Sequence, residues 1–266
     1  MDNRPIGIFD SGIGGLTVVN ALVKLLPHEV IIYVGDTARV PYGNKSPERI
    51  RKYSEEITRW LIQQGCKMVV IACNTASSYA LDSLKLKFDV PIIGVINPGV
   101  EIAAQITQNH RIGVLGTYGT IKSDSYGQAL RRLNKNIVVI SQACPLFVPL
   151  AEEGWVSGEV PKIIAKTYLE NIIESNVDTL ILGCTHYPLL KPTIKKVIDK
   201  KVNLVDSGET TGLVVQSIIN EFKLPHENSK SGDIFCRVTD SVELFEPFAG
   251  KFLEAPIKDI SHIDIF

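Results

Sequence analysis

Short, almost wholly apolar runs recur along the chain at 6–9, 30–34, 68–72, 92–95, 111–115, 137–140, 179–182 and 202–205, each followed by a longer helical or turn-rich stretch. A strand covered by helices on both faces has no solvent side, so it reads as a continuous hydrophobe rather than an alternation, and successive βα units place such strands in a parallel sheet. The sequence therefore predicts an α/β fold of mainly parallel sheets flanked by helices. Helix punctuation agrees with this. Ser46 reads as an N-cap with Pro47 at the first helical position and Gly65 past the end, and Ser157 with Pro161 opens a helix running toward Ser175. The segment 35–45, containing RVPYGNK, is rich in turn formers and lies between a strand and a helix, where α/β proteins carry site loops.

The two halves echo each other. Ile6-Gly7-Ile8-Phe9 returns as Ile112-Gly113-Val114-Leu115, 106 residues on, and Val70-Ile71-Ala72-Cys73 returns as Ile181-Leu182-Gly183-Cys184, 111 residues on. Residues 93–95 match 204–205 near the second offset. Any two parallel strands look alike over four residues, but here the order holds across several elements. It predicts two pseudo-symmetric α/β lobes with the active site in the cleft between them. The chain is expected to pass to the second lobe near Asn97 and return near Asp206, giving lobes of 1–97 plus 207–266 and of 98–206.

Composition narrows the partners. Lys and Arg number 28 against 29 Asp and Glu, a net charge of -1, so there is no basic excess to hold nucleic acid through counterion release. No run approaches the roughly 18 apolar residues of a membrane helix, and the N-terminus lacks a secretory h-region, which points to a cytoplasmic protein with no membrane partner. Five widely spaced cysteines without a CxxC pair fit neither a disulfide framework nor a zinc ribbon. Free thiols are expected.

Each half carries a cysteine directly after an apolar strand, in VVIACNTAS at 69–77 and LILGCTHYP at 180–188. Ligands of open parallel sheets bind beyond the carboxyl ends of the strands, so facing lobes bring Cys73 and Cys184 to opposite sides of one cleft. A helix N-terminus favours the thiolate, which predicts a pKa below the free value of about 8.5 and proton exchange near neutral pH. One such cysteine reads equally well as a small buried apolar residue. Two in equivalent places, each with a threonine close behind, favour chemistry, whereas Cys66, Cys144 and Cys236 lack that context and read as packing. FDSGIGG at 9–15 offers Asp10, Ser11 and backbone amides to an anion; its glycines have neither GxGxxG nor Walker spacing, so a carboxylate suits it as well as a phosphate. Asp10 and Ser11 read alternatively as an Asx-type turn with a helix cap. His186, two residues after Cys184, is placed to tune or shuttle a proton, while Glu152, in AEEGW, reads on its own as a solvated surface acid. Cys73, Cys184 and His186 give a metal only three ligands without a recognised spacing, so none is expected. Thiol-dependent hydrolysis would use Cys184 and His186 and leave the equivalent cysteine unexplained.

IFDSGIGGLT at 8–17, GDTARVPYG at 35–43, ACNTAS at 72–77, GVINPGV at 94–100, LGCTHYPLL at 182–190 and DSGETT at 206–211 together resemble the motifs of the glutamate racemases, in the aspartate/glutamate racemase superfamily, and stand in family order. The resemblance implies a cofactor-independent two-base enzyme that interconverts L- and D-glutamate and supplies D-glutamate for peptidoglycan. Cys73 and Cys184 match the catalytic pair. Asp10, Glu152 and His186 match the auxiliary groups, Glu152 through a shorter stretch. Asp10, Ser11, Tyr42, Gly43, Asn74, Thr75, Thr185 and His186 match substrate-contact positions. Racemisation needs an acid/base group on each face of a planar carbanion-like intermediate, which a pseudo-symmetric pair of thiols supplies. Ser11 with Asn74, and Thr75 with Thr185, are expected to hold the substrate carboxylates. No pyridoxal phosphate is implied, since the motifs hold no lysine apart from Lys191 at an edge. A homodimer is the expected assembly. Family members controlled by a peptidoglycan precursor resemble each other in an N-terminal extension, and this chain starts only a few residues before its first strand. UDP-MurNAc-L-alanine is therefore expected to leave its rate unchanged. The competing readings are a racemase of another amino acid such as aspartate, and a gyrase-binding protein with secondary activity.

Overall fold

The computed structural model describes residues 2–222, 224 and 231–265. Among them, every strand pairing is parallel and the strands form two sheets. β1 (Ile6–Asp10), β2 (Ile31–Gly35), β3 (Met68–Ile71), β4 (Ile92–Gly94), β9 (Ile234–Val238) and β10 (Asp259–His262) lie in the order β10-β9-β2-β1-β3-β4. β5 (Arg111–Gly116), β6 (Val138–Ala143), β7 (Thr179–Gly183) and β8 (Asn203–Asp206) lie in the order β6-β5-β7-β8. Shifted by four, the second order is β2-β1-β3-β4, the body of the first sheet. The echo in the sequence is thus an echo of topology: β1 answers β5, β3 answers β7 and β4 answers β8.

The flanking helices are α1 (Leu16–Leu25), α2 (Pro47–Gln63), α3 (Asn74–Lys87), α4 (Ile96–Ile106), α5 (Tyr118–Ser123), α6 (Ser125–Leu133), α7 (Phe147–Glu153), α8 (Glu159–Glu174), α9 (Lys191–Val197), α10 (Ser207–Glu221) and α11 (Val242–Phe252). Successive residues of one strand enter different cores. Ile6 and Ile8 join Leu16, Leu22 and Val215 on one face, while Phe9 joins Ile50, Ile57 and Leu61 on the other. In the second sheet Leu180 and Leu182 pack with Leu169 and Ile172, while Ile181 packs with Ile96, Val100 and Leu130. Full burial of each such side chain stabilises by about 1.5–3 kcal/mol, which is why the central strands β1, β3 and β7 are apolar on both faces. α10 packs on both α1 and α4, helices that serve different sheets. Asn97 lies in the first turn of α4, and Asp206 caps α10 by accepting from the Gly208 and Glu209 N–H groups. No helix among the described residues is long and apolar enough to cross a membrane.

The expected cap of α2 is present, with Ser46 Oγ accepting from the Arg49 N–H and Gly65 leaving the helix at φ +79°. Three expectations need correction. α8 is preceded not by a Ser157 cap but by Gly158, at φ +102°, a backbone that a residue with a Cβ rarely adopts. β6 runs past the predicted 137–140 to Ala143, because it is an edge strand with no fully buried residue and tolerates the polar Ser141 and Gln142 that end the apolar run. β9 and β10 were not predicted: β9 alternates buried and half-buried residues, and β10 is a short polar edge strand.

Candidate active site

β1 and β3 are neighbours, so their carboxyl ends deliver Asp10 and Cys73 side by side. Asp10 Oδ2 accepts from the Gly12 and Gly15 N–H groups at 3.2 and 3.1 Å, closing the Asx-type turn before α1. Its other oxygen, Oδ1, is buried without a hydrogen-bond partner among the described residues. Burial pushes the Asp10 carboxyl above its ordinary range, opposed by nearby His186 and the loop N–H groups. Cys73 caps α3: its Sγ accepts from the Ala76 N–H at 3.5 Å and lies 3.7 Å from Ser11 Oγ. The helix position is as expected, but the consequence is reversed. Burial, reinforced by the charge of Asp10, pushes the Cys73 thiol up to about 12. One long N–H contact does not offset removal from water, so Cys73 rests as a thiol at neutral pH.

Cys184 follows β7, equivalent to β3 in the other sheet, but the chain then takes a 3-10 turn over Tyr187–Leu190 rather than an α-helix. The helix-terminus expectation therefore fails at this site. Its partner is instead His186, whose Nδ1 lies 3.8 Å from Cys184 Sγ and whose Nε2 lies 3.0 Å from Glu152 Oε1. Glu152 belongs to the last turn of α7 and is only partly exposed, so it is not a lone surface acid. Burial alone would lower His186, but hydrogen bonds to Cys184 and Glu152 outweigh it and raise the imidazole to about 10. The ring also stacks edge-on with Phe252, and Lys251 Nζ donates to the Glu152 carbonyl at 3.1 Å.

These shifts fix how stability depends on pH. A folded-state pKa raised from 6.5 to about 10 means that the His186 contribution is complete below pH 6.5 and is lost as pH rises toward 10. Cys66, Cys73 and Cys236, each raised from 9.0 to about 12, likewise favour the folded state below pH 9 and lose that contribution above it. Thermal midpoints should decline from pH 6.5 upward and steepen beyond pH 9. A midpoint rising over that interval would contradict these assignments.

The remaining expected residues converge on the same place. Gly14 runs so close to the second half that a Cβ there would stand 2.4 Å from His186 Nδ1 and 2.5 Å from Thr185 Oγ1. The Thr17 hydroxyl donates to the Thr185 carbonyl at 3.0 Å. Thr75 Oγ1 lies 2.9 Å from Thr117 Oγ1 and 3.1 Å from Thr120 Oγ1, at the start of α5. Asn74 Oδ1 accepts from Tyr126 at 2.6 Å, leaving Nδ2 buried and without a partner among the described residues. Gly43 abuts Thr117, where a Cβ would approach to 2.9 Å. Tyr42 is an exception: its hydroxyl donates to buried Asp36, which also holds Arg39 and Thr239, so only its backbone is left to meet a ligand. The two sulfurs are close enough for the charge of Cys184 to raise Cys73 further, and Asp10 similarly senses His186. No group of three His, Cys, Asp or Glu side chains suited to a metal occurs among the described residues.

Thr117 and Thr120 were missed from the sequence, although Thr117 was within reach: it stands 106 residues after Ser11, the offset that relates β1 to β5. Asn74 and Thr185 are related by 111, like the cysteines. The charged groups break the symmetry, with Gly116 in the place of Asp10 and Thr75 in the place of His186. The site can thus offer a thiol on each side, a carboxylate beside one and an imidazolium beside the other. Leaving a buried polar group unpaired costs about 1–3 kcal/mol, so the bare acceptor at Asp10 and the bare donor at Asn74 suit a ligand that carries both a cation and an anion.

The profile of the Asp/Glu/Hydantoin racemase family matches residues 6–211. Glutamate racemase from Geobacter metallireducens is 47% identical over 262 residues, 98% of this chain and 97% of that protein. The structure of glutamate racemase from Francisella tularensis in complex with D-glutamate superposes with a TM-score of 0.93 at 39% identity, covering 100% of this chain and 99% of the other. An aspartate racemase from Picrophilus torridus shares the fold more loosely, with a TM-score of 0.56 at 19% identity over 82% of this chain and 94% of the other.

Proposed function

The chain belongs to the Asp/Glu/Hydantoin racemase family, and we propose that within it the protein interconverts L- and D-glutamate by a two-base mechanism needing no cofactor, supplying D-glutamate for peptidoglycan. One observation carries this reading. Two buried thiols follow equivalent strands of two sheets, and each has its own polar partners, Ser11 and Asp10 for Cys73 and the His186–Glu152 pair for Cys184. The division into lobes of 1–97 plus 207–266 and of 98–206 goes with it, the cleft being the space the thiols share.

In this mechanism the sulfur of one cysteine, as thiolate, takes the α-proton from one face of glutamate. The electron pair of the C–H bond moves into the α-carboxylate, and the thiol of the other cysteine returns a proton to the opposite face. Asp10 Oδ1 accepts from the α-ammonium, and Asn74 Nδ2 donates to a carboxylate, so both orphaned groups are satisfied. The hydroxyls of Ser11, Thr75 and Thr185 and the backbone at Tyr42–Gly43 complete the anion contacts. Protonated His186 stabilises negative charge on Cys184, and Glu152 holds the imidazole in place. Thr117 and Thr120, from the second half, join Thr75 of the first.

The test follows L-glutamate and, separately, D-glutamate in deuterated buffer with reduced protein alone, by proton NMR and circular dichroism. Loss of both the α-proton signal and the optical activity from either enantiomer is expected. Glutamate left unexchanged, with aspartate exchanged instead, would overturn the substrate assignment.

A further inference from the structure

Tyr126 belongs to none of the motifs above, yet it touches both halves of the site. It lies on α6 and is buried, 2% exposed. Its hydroxyl donates to Asn74 Oδ1 at 2.6 Å. Its ring presses on the strand that delivers Cys184, since a Cβ on Gly183 would lie 3.0 Å from Tyr126 Cε2. One side chain therefore meets the residue after Cys73 and the residue before Cys184.

The consequence follows from the chemistry of a carboxamide. Its two ends have the same shape and opposite hydrogen-bonding character, so an unrestrained amide beside an anion spends part of its time presenting the wrong end. A hydroxyl donor at Oδ1 removes that freedom. Nδ2 becomes the outward end, and it is this atom that is buried without a partner among the described residues. We infer that Tyr126 is a positioning residue for substrate binding, fixing Asn74 with its amino end toward a substrate carboxylate and tying that donor to the strand that carries Cys184. The inference rests on the glutamate reading above. It also makes the carboxylate contact a property of both halves together, because the donor comes from one and its orientation from the other.

Tyr126→Phe keeps the ring against Gly183 and deletes only the hydroxyl. KM for both enantiomers should rise about tenfold, equivalent to about 1.4 kcal/mol, with kcat changed by less than about threefold, as expected when binding is lost equally from ground and transition states. A merely structural role would lower the thermal midpoint and kcat while sparing KM. The second arm is a double-mutant cycle. Since Tyr126 acts through Asn74, Tyr126→Phe in an Asn74→Ala background should add nothing further. An unchanged KM in Tyr126→Phe, or independent additive losses in the cycle, would overturn the inference. Calorimetric dissociation constants for D-glutamate read the same coupling without turnover. A wild type that binds glutamate but leaves its α-proton unexchanged would therefore defeat the proposed reaction while the cycle still decides on Tyr126.

Discussion

Cys73→Ser and Cys184→Ser should each reduce racemisation by about a hundred- to ten-thousand-fold, the range set by one positioned acid/base group, and each should leave behind a different half of the reaction. A hydroxyl in place of either sulfur is too weak an acid and base to serve one face of the intermediate, and inversion needs both faces. The surviving thiol still reaches the α-proton of one enantiomer. In deuterated water it exchanges its own proton with solvent and can return a deuteron to the side it came from. Each variant is therefore expected to exchange the α-proton of one enantiomer with retention, and the two variants should prefer opposite enantiomers. The folded state should survive both changes, since each sulfur is nearly matched in size and each site already has polar neighbours, Ser11 for Cys73 and His186 for Cys184. Proton NMR on each enantiomer separately decides the matter. If both variants exchange the same enantiomer, the thiols do not serve opposite faces; if either still racemises at the wild-type rate, that cysteine is not a base.

The positions of these thiols were legible in the sequence and their chemistry was not. Leu180 and Ile181 enter different cores, so β7 had to be apolar throughout and stands out in the sequence. The matching runs before Cys73 and Cys184 then fixed equivalent places in sheets of equivalent order. β9 and β10 lie toward the open edge of the first sheet, where one-sided burial breaks the apolar run. The ionisation of Cys73 depends on how completely the fold removes it from water, which no local motif records, and burial there outweighs the helix N-terminus. Glu152 read as a surface acid because the partner that recruits it is 34 residues away in the chain. Tyr126 is a further case: nothing in its neighbourhood marks it until the fold brings its hydroxyl to Asn74.

His186→Asn should lower kcat by about a hundredfold and, more tellingly, split the isotope effects of the two directions. His186 keeps its proton up to about pH 10, with Nδ1 3.8 Å from Cys184 Sγ and Nε2 3.0 Å from Glu152 Oε1. Asparagine fills similar space but carries no charge, so the direct cost falls on negative charge at Cys184, and Cys73 feels the change only through Asp10. The two enantiomers have equal free energies in solution, so kcat/KM must fall by the same factor in both directions and cannot itself reveal which thiol was weakened. Isotope effects can. With proton transfer at Cys184 now the highest barrier, α-deuterated substrate should show an increased primary effect in the direction where Cys184 removes the proton. In the reverse direction removal by Cys73 becomes a reversible prelude, and the effect should shrink. Glu152→Gln, which acts through the imidazole and lies on a partly exposed side chain, should show the same split with a smaller loss, about tenfold. The His186→Asn protein should also lose much of the decline in thermal midpoint between pH 6.5 and 9, where, among the described residues, His186 is the group whose raised pKa supplies the slope. Equal isotope effects in both directions would mean that His186 serves the site as a whole, and the assignment of one charged partner to each thiol would fall with it.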